Sequence, residues 1–262
     1  MADDNDNFRP LKPVIDNTNR AVRVISNKVL LDDEHTREEI RRMAELERLS
    51  YAELESLKVI HPGMLQAQVM NAFRELRTKL YQLPSSRENF VLLIASVVPK
   101  GGGSFVATNL GAAIALDESK TALIIDCNIY DPALHRLLPL EPDFGLVDYL
   151  ENITLEAKDI IYSSGVRRLR LIPAGAPRQP GAEFFTSSRM RRLIEELRTR
   201  YRDRYILIDA PAMSTSTDAR ILAELCDYVM LVVPHGQVSS DHIQSSIDAI
   251  GPEKLAGVIF NT

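Results

Sequence analysis

The sequence predicts an α/β protein with a doubly wound, mostly parallel sheet, preceded by a helical N-terminal extension. From residue 90 onward, short apolar runs rich in Val, Ile and Leu alternate with helix-like segments. Such runs are typical of parallel strands buried on both faces, and parallel strands need helical crossovers between them. The expected strands lie at 91–97, 122–125, 169–172, 205–208, 229–233 and 258–260, and the expected helices between them at 105–116, 188–201, 216–225 and 239–250.

The N-terminal quarter of the chain differs from this alternating part. Residues 1–30 are polar and lack a hydrophobic period, which is typical of disorder. Residues 31–64 are rich in Glu, Arg and Leu, and we interpret them as a helical extension that either packs on the domain or serves as a docking arm. Residues 65–262 are expected to form one α/β domain.

A helix is expected at the start of that domain, over residues 65–83. Its apolar side chains follow one another at spacings of four, three and four, which is the period of one helix face. These residues are Val69, Phe73, Leu76 and Leu80.

Composition narrows the functional classes. At 262 residues with 45% apolar and 26% charged residues, the chain can bury one sizeable core. Its net charge of −5 gives no support for a nucleic-acid partner. No apolar run reaches the roughly 18 residues that span a bilayer, and the acidic N-terminus does not resemble a signal peptide. We therefore expect a cytoplasmic protein that reaches a membrane only through a partner, with Cys127 and Cys226 as reduced core thiols.

The stretch from Ser96 to Ser104, SVVPKGGGS, lies where a phosphate-binding loop is expected. It follows a strand-like run and precedes a helix-like segment, so backbone N–H groups and a helix N-terminus can cradle phosphate oxygens. Gly101, Gly102 and Gly103 can supply that cradle, since glycine accepts positive φ. The usual pattern G-x-x-x-x-G-K-[ST] needs lysine where Gly103 stands, so the nucleotide site is expected to be damaged.

The residues around position 103 determine what the loop can still bind. Lys100 lies three residues before Gly103, and it either replaces the missing cation or faces solvent. Phe105 stands where a second hydroxyl-bearing residue often follows Ser104. Ser104 itself retains the hydroxyl that ligates Mg²⁺ in such loops.

Two aspartates end apolar strands of the predicted sheet. Asp126 ends the run LIID and Asp209 ends the run YILID. Because the carboxyl ends of parallel strands meet at one edge of a sheet, both carboxylates should lie beside the glycine loop. Carboxylate and hydroxyl oxygens are the ligands that Mg²⁺ prefers. Together with Ser104, they predict a former or present Mg-nucleotide site.

These residues resemble the bacterial tyrosine kinases of capsule and exopolysaccharide operons, a branch of the partition and septum-site ATPase superfamily. The resemblance covers about residues 68–261 and carries the fold of a P-loop NTPase. The family's first motif reads S-x-x-P-G-E-G-K-S-T-x-x-x-N-L. This chain matches it at Ser96, Pro99, Gly102, Ser104, Asn109 and Leu110. It differs from the motif at Lys100, Gly101, Gly103 and Phe105.

The other motifs of the family are kept to different degrees. In the second motif, I-D-x-D-x-R-x-P, Asp126 is retained, Asn128 replaces the second aspartate and Tyr130 replaces the arginine. The third motif, I-D-x-P, is intact around Asp209. Near the C-terminus, Asn261 resembles the family's adenine-reading asparagine.

A helix motif associated with ring assembly in the family, E-x-x-R-x-x-R, also has a counterpart here. It appears as Asn71, Arg74 and Arg77, with asparagine in place of the glutamate. The resemblance therefore implies a possible homo-oligomer, and it assigns these three residues to oligomer or partner contacts.

Together, the resemblance and its departures predict a degenerate tyrosine-kinase-like protein that regulates or scaffolds polysaccharide biosynthesis and export. Asp126 and Asp209 are the implied catalytic residues, Ser104 completes the metal ligands, and residues 100–105 with Asn261 are the implied nucleotide contacts. Mg-ATP or Mg-ADP is expected to bind weakly or not at all. The implied partner is a chain-length determinant co-polymerase that holds the protein at the inner face of the cytoplasmic membrane.

Two alternatives stay open at this stage. One is an active ATP-dependent tyrosine autokinase that uses Lys100 in an altered loop. The other is a switch ATPase of the partition type, although that class needs a lysine at the start of its loop, where this chain has Val98.

Overall fold

The computed structural model describes residues 48–65, 67–84, 89–138, 141–175, 182–200 and 203–262. The predicted disorder of residues 1–30 and the first part of the predicted extension lie outside the described residues.

The described residues form seven strands in one sheet. The strands are β1 Val91–Ser96, β2 Thr121–Asp126, β3 Tyr162–Ser163, β4 Leu169–Ile172, β5 Arg204–Ala210, β6 Tyr228–Pro234 and β7 Leu255–Asn261. Their spatial order is β3-β4-β2-β5-β1-β6-β7, and every neighbouring pair is parallel except the antiparallel pair β3 and β4. The predicted doubly wound, mostly parallel sheet is confirmed.

Helices cover both faces of the sheet. In the described residues they are α1 Tyr51–Ser56, α2 Ala67–Tyr81, α3 Gly103–Ala115, α4 Leu146–Glu151, α5 Ala182–Thr186, α6 Ser188–Arg200, α7 Asp218–Ala223 and α8 Ser240–Ile250. Two apolar clusters result, one on each face of the sheet. Every residue of α3 from Val106 to Ala115 is buried, as expected for a helix that is apolar all round. Cys127 and Cys226 are free, buried thiols.

The described part of the N-terminal extension is mostly not helical. Within it, only α1 is helical, and Ser50 and Glu53 begin that helix with a reciprocal capping box. The chain then runs on in a non-helical conformation, with Val59, Ile60 and His61 buried against the domain. The described part thus packs on the domain, which is the first of the two interpretations of this segment.

Asn109 on α3 holds this segment in place. Its side-chain oxygen accepts a hydrogen bond from the backbone N–H of Ile60 at 2.8 Å, and its amide group donates to the carbonyl oxygens of Lys58 and Phe105, both at 3.0 Å. Asn109 is only 1% exposed, so these bonds are shielded from water. The extension is therefore tied to the same helix that begins at the glycine loop.

Candidate functional site

A cleft of about 590 Å³ opens at the carboxyl edge of the sheet. The glycine loop that follows β1 forms one wall, the segment after β2 forms another, and residues after β5 complete it. This is the position at which doubly wound sheets bind ligands. The sequence-predicted residues that line it are Lys100, Gly101, Gly102, Gly103, Ser104, Phe105, Asn128 and Tyr130.

The loop has the backbone that a phosphate cradle requires. Gly102 has a φ of +94° immediately before α3 begins at Gly103. A Cβ atom at Gly102 would collide with the side-chain amide of Asn261, so glycine is needed there on two counts. That amide donates a hydrogen bond to the carbonyl oxygen of Gly101 at 3.2 Å. The end of β7 therefore braces the loop; the adenine-reading role of Asn261 stays a prediction.

Lys100 is the only lysine or arginine among the described residues that line the cleft. Its side chain is exposed, and its backbone has a φ of +58°, in the left-handed region that disfavours residues with a Cβ atom. Lys100 therefore lies at the mouth of the cleft. The position at which the phosphate-loop pattern has lysine is occupied by Gly103.

Asp126 and Asp209 are neighbours across β2 and β5, where they are paired in register. They are 0% and 1% exposed, and burial raises the pKa of both carboxyl groups, that of Asp126 to about 7. Backbone N–H groups of Asn128 and Leu134 donate to Asp126 at 3.1 and 3.2 Å and lower its pKa in part. The Asp126 carboxylate also raises the pKa of Asp209, since like charges repel.

Asp209 is the less satisfied of the two carboxyl groups. Neither of its oxygens has a geometrically good hydrogen-bond partner among the described residues, and the adjacent Ser104 hydroxyl only partly offsets the effect of burial on its pKa. A buried, unsatisfied carboxylate beside a hydroxyl group is a donor set that suits Mg²⁺. Ser104, Asp126 and Asp209 therefore fit the implied metal, and the loop fits a phosphate, but the loop's own cation is missing.

The two substituted residues of the second motif each donate a side-chain hydrogen bond. The side-chain amide of Asn128 donates to the carbonyl oxygen of Asp131 at 3.0 Å. The hydroxyl group of Tyr130 donates to a carboxylate oxygen of Asp218 at 2.8 Å, and Asp218 is only 2% exposed. This bond ties the segment after β2 to the start of α7 across the cleft. It places a neutral phenol where the family has a guanidinium group.

Phe105 and the three assembly residues lie on or beside α2. Phe105 makes an edge-to-face contact with Phe73 of α2, with 5.9 Å between ring centroids, so it helps to pack α2 on α3. Arg77 donates from Nη1 to the carbonyl oxygen of Ala113 at 2.8 Å, so its guanidinium group is engaged within its own domain. Asn71 and Arg74 are exposed. The structure thus separates Arg77 from the other two; the assembly role of all three stays a prediction.

Two residues with structural roles at this site were not identified from the sequence. Asn109 was noted only as a matching motif position, although it clamps the extension to α3. Asp218, the hydrogen-bond partner of Tyr130, has no sequence signal that identified it. A buried asparagine in an otherwise apolar helix was the available signal for Asn109.

Comparisons with known proteins find sequence relatives of this chain, several of which are named tyrosine-protein kinases. No protein-family model matches it. It is 30% identical over 199 residues to the succinoglycan biosynthesis transport protein ExoP of Rhizobium meliloti, covering 72% of this chain and 24% of that protein. It is 27% identical over 243 residues to the tyrosine-protein kinase wzc of Salmonella typhimurium, covering 92% and 32%. The chain thus spans about a quarter to a third of these two relatives.

A shorter relative and two solved structures extend the comparison. The tyrosine-protein kinase CpsD of Streptococcus agalactiae is 28% identical over 210 residues, covering 78% of this chain and 89% of that protein. The kinase domain of VpsO aligns with a TM-score of 0.65 and 25% identity, covering 81% and 98%. The cell division ATPase MinD of Pyrococcus furiosus aligns with a TM-score of 0.54 and 22% identity, covering 67% and 71%. The chain is therefore a homologue of the bacterial tyrosine kinases, with the P-loop NTPase fold that their kinase domains share with MinD.

Proposed function

We propose that this chain is a degenerate kinase-like component of polysaccharide biosynthesis and export, which regulates or scaffolds the machinery instead of phosphorylating tyrosine. The observation that carries the proposal is Gly103 at the first residue of α3, in the position of the phosphate-loop lysine. Relatedness to ExoP, wzc and CpsD supports the pathway, and the departures from the kinase motifs support the loss of activity.

The energetic argument rests on charge. Phosphoryl transfer depends almost entirely on positioning and on stabilising developing negative charge. Removing one preorganised charge-stabilising group typically costs about 10²–10³ in rate. Here Gly103, Asn128 and Tyr130 replace a lysine, an aspartate and an arginine together. Even without simple additivity, we expect turnover too slow to be useful.

The remaining groups still support weak nucleotide binding. Ser104, Asp126 and Asp209 would hold Mg²⁺, which when bound neutralises phosphate charge. The N–H groups at the start of α3 and the Gly101–Gly103 backbone would receive phosphate oxygens. Without the lysine contact, we propose that Mg-ADP or Mg-ATP binds weakly or not at all.

The proposed role at the membrane involves a partner. None of the helices in the described residues has the length and apolar character of a membrane span. Two relatives, ExoP and wzc, are about three to four times longer than the region this chain matches. We propose that the chain works in the cytoplasm and is held at the inner face of the membrane by a chain-length determinant co-polymerase.

Lys100 favours one competing function, an active tyrosine autokinase with an altered loop, because it lines the cleft. The decisive experiment incubates the purified chain with radiolabelled ATP and Mg²⁺ and detects phosphotyrosine, with an active homologous kinase domain in parallel. We expect no signal from the chain. A signal that disappears in Asp126→Asn and in Lys100→Ala would replace our proposal with the autokinase. ATP hydrolysis without phosphotyrosine would favour a partition-type switch ATPase.

A further inference from the structure

A second cavity, of about 330 Å³, lies at the far end of α3 from the glycine loop. The described part of the extension, the C-terminal end of α3 and the turn before β4 enclose it. One wall is apolar and includes Leu54, Ile60, Ala112 and Val166. Phe105 of α3 lines the nucleotide cleft and Ala112 lines this cavity, so about 10 Å of helix separates them, and the two linings share no residue. This cavity is therefore distinct from the nucleotide cleft.

The polar side of this cavity is mainly basic. Among the described lining residues, Arg48, Arg167 and Arg168 are basic, and only Glu118, which is exposed, is acidic. Arg168 is 7% exposed and is held in place, because its Nε donates to the carbonyl oxygen of Ala115 at 2.9 Å. Its backbone also has a φ of +61°, in the left-handed region. The exposed Arg167 can pair with a negatively charged group at this side of the cavity.

His61 adds a buried polar group to the lining. Its side chain is 2% exposed, and neither ring nitrogen has a hydrogen-bond partner among the described residues. The nearest acid is Glu55, with its Oε1 at 3.5 Å from Nε2, and Tyr51 stacks on the ring at 4.5 Å between centroids. Nε2 therefore faces a carboxylate, whereas Nδ1 has no polar partner among the described residues. Buried polar groups in proteins are normally hydrogen-bonded, so Nδ1 in the cavity wall is a position for a ligand.

We propose that this cavity binds a small organic anion, with its phosphate or carboxylate group towards the arginines and His61 and its aromatic or aliphatic body against the apolar wall. The volume is at the lower end of the range for small-molecule sites, about 300–1,000 Å³, and the combination of one apolar wall with few polar groups is typical of them. Such a ligand would contact the extension and α3 together. Its binding needs no nucleotide, so it is independent of the function proposed above.

Phenyl phosphate is the probe for the first experiment, with proton NMR of the histidine rings as the readout. The chain has five histidines, and the His61 signals are those that disappear in His61→Phe, a variant that keeps an aromatic ring against Tyr51. We expect phenyl phosphate to shift the His61 signals in a saturable way. Inorganic phosphate, which lacks the body, and benzyl alcohol, which lacks the charge, should each bind at least about tenfold more weakly.

A second experiment measures phenyl phosphate affinity for variants of the full chain by calorimetry. Arg167 is exposed, so Arg167→Ala should fold normally, and we expect it to weaken binding at least about tenfold. Arg191→Ala, an exposed arginine on α6, is the matched control and should bind as the parent does. If phenyl phosphate leaves the His61 signals unmoved, the proposal is overturned. This holds also if the signals do not move because the chain's own N-terminal residues occupy the cavity. Equal affinity in Arg167→Ala, or equal binding of benzyl alcohol, would also overturn it.

Discussion

Gly103 decides the chemistry of the cleft at the scale of single residues. It lies in the first turn of α3 without a positive φ, so a lysine can adopt its backbone conformation. A Cβ atom there would lie 3.3 Å from the backbone nitrogen of Ser96 and 3.7 Å from Oδ1 of Asp209. Those distances require a shift of only a few tenths of an ångström. The Cβ atom of a lysine at this position therefore requires only a small shift of the neighbouring backbone.

We predict that Gly103→Lys binds Mg-ADP more tightly than the parent chain. The lysine adds a charge-assisted hydrogen bond, which contributes about 1.5–3 kcal/mol, or roughly 10- to 150-fold in affinity. Isothermal titration calorimetry with both proteins measures the difference. Gly103→Met is the matched control, because it adds a side chain of similar length without the charge. If the lysine and methionine variants bind equally, the loop does not form the expected phosphate cradle.

The aspartate pair predicts a dependence of stability on pH in the metal-free protein. Burial raises the pKa of Asp126 to about 7 and raises that of Asp209, whereas an aspartate in an unfolded chain titrates near 4. Between these values the folded protein binds more protons than the unfolded one. The contribution of the pair to the free energy of unfolding should therefore fall as pH rises from about 4 to 7 and be restored, at pH 8, by added Mg²⁺.

Asp209→Asn tests this directly, because neither oxygen of Asp209 has a good partner to lose. At pH 8 in EDTA we expect the variant to be more stable than the parent by more than about 1 kcal/mol, and at pH 4 to be about equal. Urea unfolding at both pH values measures the difference. Asp143→Asn, at an exposed site, should show no such change. A stability difference between variant and parent that is the same at pH 4 and pH 8 would contradict the raised pKa values.

At the scale of elements, the strands were predictable because they are buried on both faces. Each of the six predicted apolar runs became a strand of the sheet, with ends displaced by up to three residues. β3 was missed because it has two residues and no pattern of its own. The extension was predicted to be helical from its Glu, Arg and Leu content. In its described part, hydrogen bonds to Asn109 on α3 hold the segment after α1 in a non-helical conformation. Tertiary contacts there outweigh local propensity.

We predict that Asn109→Ala releases the extension from α3. Its three buried hydrogen bonds contribute about 1 kcal/mol each, and the N–H of Ile60 would be left without its acceptor, so we expect a loss of about 2–4 kcal/mol in stability. Hydrogen exchange at the amide of Ile60 should accelerate by a larger factor than exchange in β1. Asn71→Ala, at an exposed position on α2, is the control and should change neither quantity appreciably.

At the scale of the whole molecule, the sequence located the cleft but not the contacts between its walls. The loop and both aspartates were placed correctly at one edge, because the carboxyl ends of parallel strands must meet there. The hydrogen bond from Arg77 to Ala113 could not be predicted from the sequence. Helical spacing shows on which face of a helix a residue lies, but not which partner its long side chain reaches. Because Arg77 is engaged in this way, only Asn71 and Arg74 remain as exposed members of the assembly motif.

Our last prediction concerns assembly and recruitment. We expect the chain alone to be a monomer or a weak oligomer, because Asn71 lacks the carboxylate of the family's assembly motif, and to be recruited by the cytosolic end of a chain-length determinant protein through a surface that includes α2. Arg74→Glu is the informative variant, since Arg74 is exposed, whereas changing Arg77 would also break its bond to Ala113. Light scattering reports the free state, and co-sedimentation with membranes that contain or lack the determinant protein reports recruitment.

For recruitment, the matched control reverses an exposed charge on a different helix, in Arg191→Glu on α6. We expect Arg74→Glu to lower the co-sedimenting fraction several-fold and Arg191→Glu to leave it unchanged. Reversing the charge at position 74 removes an attractive charge pair and adds a repulsive one, and both changes lower affinity. Because salt screens these interactions, the effect should also shrink at high ionic strength. A stable ring in the absence of nucleotide, or recruitment of Arg74→Glu equal to that of the parent, would show that α2 does not carry this contact.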